Sequence, residues 1–264
     1  MSRISQALNS RAAKPLGGFI PFITAGDPDL DASLELAVAL GESCADVLEL
    51  GVPFSDPVAD GPIIQRSSLR ALRQGTTPAK ILEMVRRLRQ RSAVPVVLFS
   101  YFNPILQYGL ERLAKEARDA GVDGLLLTDL PPEESDAFLP AFRAEALDTI
   151  FLASPTTSPE RLQKIAAYSS GFIYLISRAG VTGESDALSD GLEEHVRQLK
   201  GLSDLPVAVG FGISTPGHVR QVWKVADAAV VGSAIVHRLE ESRQDKDWLD
   251  KTVAFATWLK GEAE

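Results

Sequence analysis

Eight short apolar runs recur along the chain, and helix-like patterns of hydrophobic residues separate them. Most of the runs are continuously apolar, which is typical of parallel strands that are covered on both faces. Between the runs, hydrophobic residues recur every three to four positions, as at Ile81, Val85 and Leu88, and this spacing predicts helices. The runs cover 19–24, 47–50, 96–100, 124–128, 149–153, 172–176, 207–210 and 228–231.

The repeated alternation of strand and helix predicts an α/β fold, a (β/α)8 TIM barrel, with an open doubly wound sheet as the alternative. Residues 1–13 predict an extra N-terminal helix, with Ile4 and Leu8 on its apolar face, that closes one end of the barrel. No linker or low-complexity segment divides the chain, so residues 1–264 are expected to form one domain. Glycines stand where four helices are expected to end, namely Gly41, Gly121, Gly171 and Gly201.

The spacing of the apolar runs is uneven. Successive runs start 28, 49, 28, 25, 23, 35 and 21 residues apart. The long intervals after the second and sixth runs predict extra loop at the carboxyl ends of those two strands. Barrel enzymes build their active sites at that end, so the site is expected there.

Composition narrows the class of protein. The net charge of −8, from 27 basic and 35 acidic residues, argues against binding to nucleic acid. A single cysteine, Cys44, excludes an internal disulfide and is interpreted as a small buried hydrophobic residue in a reducing compartment. The three histidines have no partners at ligand spacing, so no metal site is predicted. Without a signal peptide or an apolar membrane span in the sequence, a cytoplasmic location is expected.

One carboxylate occupies an unusual place in a repeated pattern. Three segments begin with an apolar residue followed by aspartate. At the third position after the aspartate, two of these segments have an aliphatic residue, Leu126 in one and Val230 in the other. The first segment holds Glu49 instead. Burial in such a slot raises the pKa of a carboxyl group and produces an acid or base near neutral pH; the alternative is an outward glutamate in a salt bridge. The segments are 45–51, 122–128 and 226–232.

The segment that follows, 51–62, contains three prolines and two glycines, so it predicts a stiff loop with fixed turns. It carries two carboxylates, Asp56 and Asp60. One of them can form an acid–base pair with Glu49 across a substrate. Both can equally well cap turns, and the two interpretations stay open from the residues alone.

Glycines after the last two apolar runs favour a phosphate site. Gly212 and Gly232 allow close approach of the backbone, and Ser233 adds a hydroxyl donor at the start of a predicted helix. The loop 177–185, after the sixth run, combines small residues with glycines and is expected to be a lid. Arg178 in this loop is expected either to pair with the phosphate or to contact solvent or another loop.

Six segments, in order across nearly the whole chain, resemble the tryptophan synthase α chain family. The stretch Leu-Glu-Leu-Gly-Val-Pro-Phe-Ser-Asp-Pro-Val-Ala-Asp-Gly-Pro is long and unusual, so this resemblance is specific. The segments are 19–28, 48–62, 101–104, 175–183, 210–214 and 232–235.

The resemblance implies a phosphate-binding barrel that cleaves indole-3-glycerol phosphate to indole and glyceraldehyde 3-phosphate, a retro-aldol reaction without a cofactor of its own. The family's acid–base glutamate falls on Glu49, and the aspartate that pairs with the indole N–H falls on Asp60. The ring is expected against three aromatic residues, Phe22, Tyr101 and Tyr174. The phosphate is expected against Gly183, Phe211, Gly212, Gly232 and Ser233.

The resemblance also implies a partner. This is a β chain that carries pyridoxal phosphate and receives indole through a tunnel in an α2β2 heterotetramer. The segments that the family uses at that contact include Asp56, Pro57 and Asn103. One departure is Phe172, where the family often has an aromatic hydroxyl. A stand-alone lyase that releases free indole remains an alternative. A non-catalytic subunit that only activates a β chain is the third possibility, and the presence of both Glu49 and Asp60 argues against it.

Overall fold

The apolar runs form parallel strands that are hydrogen-bonded into one sheet. The structure, a computed structural model, describes residues 1–12, 16–176, 191–210 and 212–261. Within these ranges the strands are β1 (Gly18–Thr24), β2 (Leu48–Gly51), β3 (Val96–Ser100), β4 (Gly124–Leu127), β5 (Asp148–Ile150), β6 (Leu152–Ala153), β7 (Ile173–Ile176), β8 (Val207–Gly210) and β9 (Ala228–Val231).

The sheet closes into a barrel because β5 and β6 are two parts of one strand. They are separated by the single residue Phe151, and they form the two ends of the strand order β5-β4-β3-β2-β1-β9-β8-β7-β6. β5 pairs with β4, and β6 pairs with β7. The predicted (β/α)8 barrel is therefore confirmed, and the open doubly wound sheet is wrong. That residues 1–264 form a single domain stays a prediction.

Helices surround the barrel, and their start signals are present in the sequence. Thr77, Ser158 and Thr215 each accept a hydrogen bond from the backbone N–H three residues on, and each precedes a proline at the first helical position. The described helices are α1 (Arg3–Ala12), α2 (Leu30–Ser43), α3 (Pro62–Arg73), α4 (Pro78–Arg89), α5 (Phe102–Tyr108), α6 (Leu110–Ala120), α7 (Leu139–Ala144), α8 (Pro159–Tyr168), α9 (Leu192–Leu202), α10 (Pro216–Trp223), α11 (Ser233–Ser242) and α12 (Trp248–Lys260), with a 3-10 turn at Pro132–Ala137.

The aspartates of the repeated pattern fix the register of the strands. Each carboxylate accepts a backbone N–H at the start of the preceding strand in the barrel, at 2.8–2.9 Å. Because the three aspartates hold equivalent positions, the residues three places on all point into the barrel, where Leu126 and Val230 are buried in its inner core. The pairs are Asp46 with Phe19, Asp123 with Val96, and Asp227 with Val207.

Helix α1 closes the end of the barrel where the strands begin, as predicted. Ile4 and Leu8 are fully buried in the inner core. A Cβ on Gly18, the first residue of β1, would lie 2.8 Å from Leu8, and one on Gly124, the first residue of β4, would lie 3.0 Å from Ile4. The opposite end, where the strands finish, is therefore the end left for the site.

Three sequence expectations need correction. The surplus after β2 is a loop followed by a whole helix, α3, rather than loop alone. Gly41 does not end a helix, because α2 continues to Ser43; a Cβ there would lie 2.8 Å from Ser92, so close packing explains this glycine. Gly201 likewise lies inside α9, whereas Gly121 caps α6 in the left-handed conformation, as expected.

The surplus after the sixth run, including Arg178, lies outside the described residues. Among the helices of the described ranges, none is long and apolar enough to cross a membrane.

Candidate functional site

Glu49 lies on β2 and points into the barrel. It is 1% exposed, and within the described residues its Oε1 has no hydrogen-bond partner. Loss of water around the carboxyl group raises its pKa to about 8, because burial penalises the charged form. The alternative of an outward glutamate in a salt bridge is therefore wrong. Glu49 is a carboxylic acid held protonated at neutral pH and able to give up its proton just above it.

Aromatic side chains surround Glu49. Phe22 on β1 is its direct neighbour in the strand pairing. The Phe22 ring packs edge-on against Phe99, with 5.3 Å between ring centroids. It also covers Gly51, where a Cβ would lie 2.4 Å from the ring. Glycine at position 51 therefore leaves the space that the Phe22 ring occupies.

Tyr174 on β7 faces the same interior. It is buried, and a Cβ on Gly210 of the neighbouring strand β8 would lie 2.1 Å from its hydroxyl oxygen. Burial raises the pKa of the Tyr174 phenol well above its usual value, and the nearby charge of Glu49 raises it further. Tyr174 therefore stays protonated beside Glu49 across the working pH range.

Asp60 lies in the loop between β2 and α3. It is half-buried, and burial raises its pKa to about 6, while a hydrogen bond from the Tyr101 hydroxyl works in the opposite direction. The same hydroxyl accepts the Ala59 N–H at 2.9 Å, so Tyr101 ties this loop to the end of β3. By contrast, Asp56 is exposed and accepts a hydrogen bond from its neighbour Ser55. Of the two loop carboxylates, Asp60 has the environment of a reacting group.

The expected phosphate site is open where the structure describes it. Gly232 precedes α11 and provides no side-chain cap, so the first N–H groups of the helix have no cap hydrogen bond from it. Ser233, the first residue of α11, is exposed. Gly212 has φ +76°, and a Cβ there would meet no atom within 4 Å among the described residues. Gly183 and Phe211 lie outside the described residues.

Phe22 connects the two halves of the candidate site. A Cβ on Gly232 would lie 3.5 Å from Phe22, which is also the strand neighbour of Glu49. Phe22 packs in one apolar cluster with Ile64 of α3 and Val236 of α11. Sequence reasoning missed those two residues, although each lies on the apolar face of a helix that begins next to a predicted site residue.

The residues expected at a partner contact are accessible. Asp56 and Asn103 are exposed and Pro57 is partly exposed. Beside them, the apolar side chain of Val58 is 82% exposed. Among the described residues, no group of three or more His, Cys, Asp or Glu side chains is arranged to hold a metal ion.

Comparison with known proteins gives a consistent result. A family model described as tryptophan synthase alpha chain matches residues 8–263. The tryptophan synthase alpha chain of Solibacter usitatus (strain Ellin6076) is 46% identical over 260 residues, which is 98% of this chain and 97% of that one. That of Geobacter sulfurreducens is 51% identical over 240 residues, 91% of each chain.

Solved structures agree with the sequence relatives. The crystal structure of tryptophan synthase subunit alpha from Legionella pneumophila str. Paris matches with a TM-score of 0.90 at 40% identity, and covers 99% of this chain and 98% of that one. A structure of Mycobacterium tuberculosis tryptophan synthase in space group F222 matches with a TM-score of 0.90 at 36% identity, and covers 99% and 98%.

Proposed function

The chain belongs to the tryptophan synthase alpha chain family, and we propose that Glu49 and Asp60 carry its reaction. That reaction is the retro-aldol cleavage of indole-3-glycerol phosphate to indole and glyceraldehyde 3-phosphate, which makes the chain a carbon–carbon lyase of tryptophan biosynthesis. The observation that carries the proposal is the placement of Glu49. It is a buried carboxyl group in an interior position that the equivalent segments fill with Leu126 and Val230.

Glu49 acts first as an acid and then as a base. The bond between indole C3 and C3′ breaks only after C3 is protonated, because an aromatic carbanion is a poor leaving group. Protonated Glu49 gives its proton to C3, which produces an indoleninium. The resulting carboxylate takes the proton of the C3′ hydroxyl, the bonding electrons return to the ring, and the aldehyde forms. Glu49 thereby regains its proton.

Asp60 stabilises the charge that develops during this step. The indoleninium carries positive charge at its ring N–H, and an ionised carboxylate beside that group lowers the energy of the transition state. With a pKa of about 6, Asp60 is ionised at neutral pH. The hydrogen bond from Tyr101 holds it in place. Phe22 and Tyr174 provide the aromatic surface against which the ring lies.

The phosphate end of the substrate binds at Gly212, Gly232 and Ser233. The N-terminus of α11 offers backbone N–H groups to an anion, and the helix dipole favours negative charge there. Gly183 and Phe211 complete this site by family resemblance. The chain needs no cofactor of its own under this mechanism, because carboxyl groups supply both proton transfer and charge stabilisation.

A β chain is the proposed partner, in an α2β2 heterotetramer in the cytoplasm. It carries the pyridoxal phosphate and receives the indole. The contact surface is built from Asp56, Pro57 and Asn103, next to exposed Val58. Protein interfaces combine an apolar centre with a polar rim, and Val58 with its polar neighbours can supply both.

The β-chain experiment separates this function from a stand-alone lyase. We expect kcat for indole-3-glycerol phosphate cleavage to rise at least about tenfold when a β chain is added, as a coupling of typical size between two sites predicts. Glu49→Gln, folded as judged by circular dichroism, is the control and stays inactive with or without the β chain. A high kcat that the β chain leaves unchanged would favour the stand-alone lyase, and full turnover by the Gln variant would disprove the role of Glu49.

A further inference from the structure

A network of charged side chains joins α3 to two other parts of the barrel. Asp27 lies in the loop between β1 and α2, and its side chain is 1% exposed. Its carboxylate accepts a hydrogen bond from the Ser67 hydroxyl at 2.6 Å and two from Arg70, through Nε and Nη2, at 2.7 Å each. The Nη1 of Arg70 donates to Glu240 of α11 at 2.6 Å. One guanidinium therefore links α3 to the β1–α2 loop and to α11.

The two helices in this network begin at the two ends of the proposed substrate site. Helix α3 begins at Pro62, two residues after Asp60, and α11 begins at Ser233 beside the expected phosphate. Arg70 lies eight residues after the first residue of α3, about 12 Å along the helix axis. Glu240 lies seven residues after the first residue of α11, about 10 Å along.

The helices are also joined closer to the site. Ile64 of α3 and Val236 of α11 pack in one apolar cluster with Phe22. An apolar contact near the helix starts and an ionic contact between one and two turns further on join the pair at two levels. Arg66 of α3 adds to the ionic contact, because its Nε and Nη2 also donate to Glu240, at 2.9 and 2.6 Å. Contacts at two levels oppose both sliding of α3 along α11 and its swinging away from α11. They therefore oppose a change in the distance between the two helix N-termini.

Such a network fixes the relative position of the elements that it joins more than it stabilises the fold. Moving charges out of water costs several kcal/mol per ion, so a buried ion pair contributes little net stability. A bidentate contact between arginine and carboxylate, however, sets both distance and orientation. Lysine carries the same charge but cannot make the two parallel hydrogen bonds. Arg70 and Asp27 form the bidentate arrangement, and Arg70 has a third hydrogen bond, to Glu240.

We propose that Arg70 is a positioning residue. Through Asp27 and Glu240 it holds Asp60, at the indole end, and the N-terminus of α11, at the phosphate end, at the separation that one substrate molecule spans. This inference rests on the proposed function and assigns Arg70 no contact with substrate. Orientation of bound groups contributes strongly to catalysis. If α3 and α11 are less firmly joined, a ligand that must reach both the indole end and the phosphate end therefore binds more weakly.

The test compares separate and joined ligands on the full chain. Inhibition constants are measured for indole, for glycerol 3-phosphate, and for an uncleavable analogue in which a three-carbon chain joins indole to phosphate. For Arg70→Lys, we expect each separate ligand to bind within about twofold of wild type and the joined analogue to bind about tenfold more weakly, because only the joined analogue depends on the effective concentration set by geometry. The kcat/KM for substrate falls by a similar factor.

The matched control is Arg91→Lys. Arg91, in the turn after α4, makes a bidentate contact with Glu35 of α2, away from the site, so its replacement leaves all three constants unchanged. Glu240→Ala keeps the Arg70–Asp27 pair but removes the contacts of α11 with both Arg70 and Arg66. We expect it to weaken the joined analogue at least as much as Arg70→Lys does, even if that variant folds poorly. Equal weakening of all three ligands, or no weakening of the joined analogue, overturns the proposal. Wild-type turnover in the same preparation tests the proposed function separately.

Discussion

At the scale of single residues, the two carboxyl groups that are proposed to carry the reaction have different surroundings. Glu49 is fully enclosed by the barrel, and its pKa rises to about 8. Asp60 lies in a loop and is half-buried, and its pKa rises only to about 6. At neutral pH the first is therefore protonated and the second ionised. Two carboxyl groups whose environments separate their pKa values are the usual arrangement for an acid paired with an electrostatic stabiliser.

The pH dependence of kcat/KM follows from these two values. We expect it to rise as the pH passes about 6, where Asp60 ionises, and to fall above about 8, where Glu49 loses the proton that indole C3 needs. Asp60→Asn removes the rise on the acid side and lowers the maximum, because the indoleninium then lacks its counter-charge. Rates measured from pH 5 to 9.5 test this. An acid limb that persists in the Asn variant would exclude Asp60 as its source.

The buried carboxyl group also costs stability at high pH. The pKa of Glu49 is higher in the folded chain, about 8, than its ordinary value of 4.5. The folded chain therefore keeps a proton that the unfolded chain releases, and stability is full below about pH 4.5 and is lost as the pH rises through 8. Glutamine does not titrate. We expect Glu49→Gln to gain stability over wild type from pH 5 to pH 9 in urea unfolding; parallel curves would contradict this.

At the scale of elements, helix starts are more sharply encoded than helix ends. A side-chain cap followed by proline is a local signal, and it marks the starts of α4, α8 and α10. A glycine has several uses, so its position is ambiguous. Gly121 ends α6, whereas Gly41 lies inside α2, where Ser92 of another element leaves no room for a Cβ. The sequence around Gly41 contains no information about that neighbour.

The start of α11 provides a prediction at this scale. Ser233→Asp places a negative charge at the first position of the helix. The helix dipole favours a negative charge at this position, so the fold is retained. The same charge repels a bound phosphate. We expect KM for indole-3-glycerol phosphate to rise at least about tenfold with no loss of thermal stability. Ser233→Ala, which removes only the hydroxyl, is the milder control. An unchanged KM in the Asp variant would place the phosphate elsewhere.

At the scale of the whole molecule, the barrel separates stability from chemistry. Helix α1 closes the end where strands begin, and the proposed site, with Glu49, Phe22 and Asp60, lies toward the end where strands finish. The inner core runs continuously between them. Substitutions at the closed end are therefore expected to change the free energy of unfolding without changing the reaction.

Leu8→Ala tests that separation. Leu8 is fully buried in the inner core, so its truncation leaves a cavity and lowers the free energy of unfolding by about 2–5 kcal/mol. The matched control is Leu202→Ala on α9, where the leucine is 42% exposed and the cost is below about 1 kcal/mol. Urea unfolding measures both. We expect kcat of folded Leu8→Ala to equal that of wild type at low temperature, and a large loss of kcat would show that the two ends are coupled.

The sequence alone predicts the barrel and an interior place for Glu49, with an open sheet and an outward glutamate as the alternatives. Continuous apolar runs are a local property of buried parallel strands, and the spacing of Asp46, Asp123 and Asp227 places equivalent residues inside without any knowledge of the fold. The residues of the loop alone do not show whether Asp56 or Asp60 takes part in the reaction. Asp56 and Asp60 differ only in what folds around them, namely solvent in one case and the Tyr101 hydroxyl in the other.

Only the folded chain shows the properties that depend on distant neighbours. The pKa of Glu49 is set by the removal of water, which takes strands from the whole barrel. The hydrogen bonds of Arg70 join residues 43 and 170 positions apart. No local pattern encodes either, because desolvation and ion pairing depend on separation in space, and only the closed barrel brings these groups together.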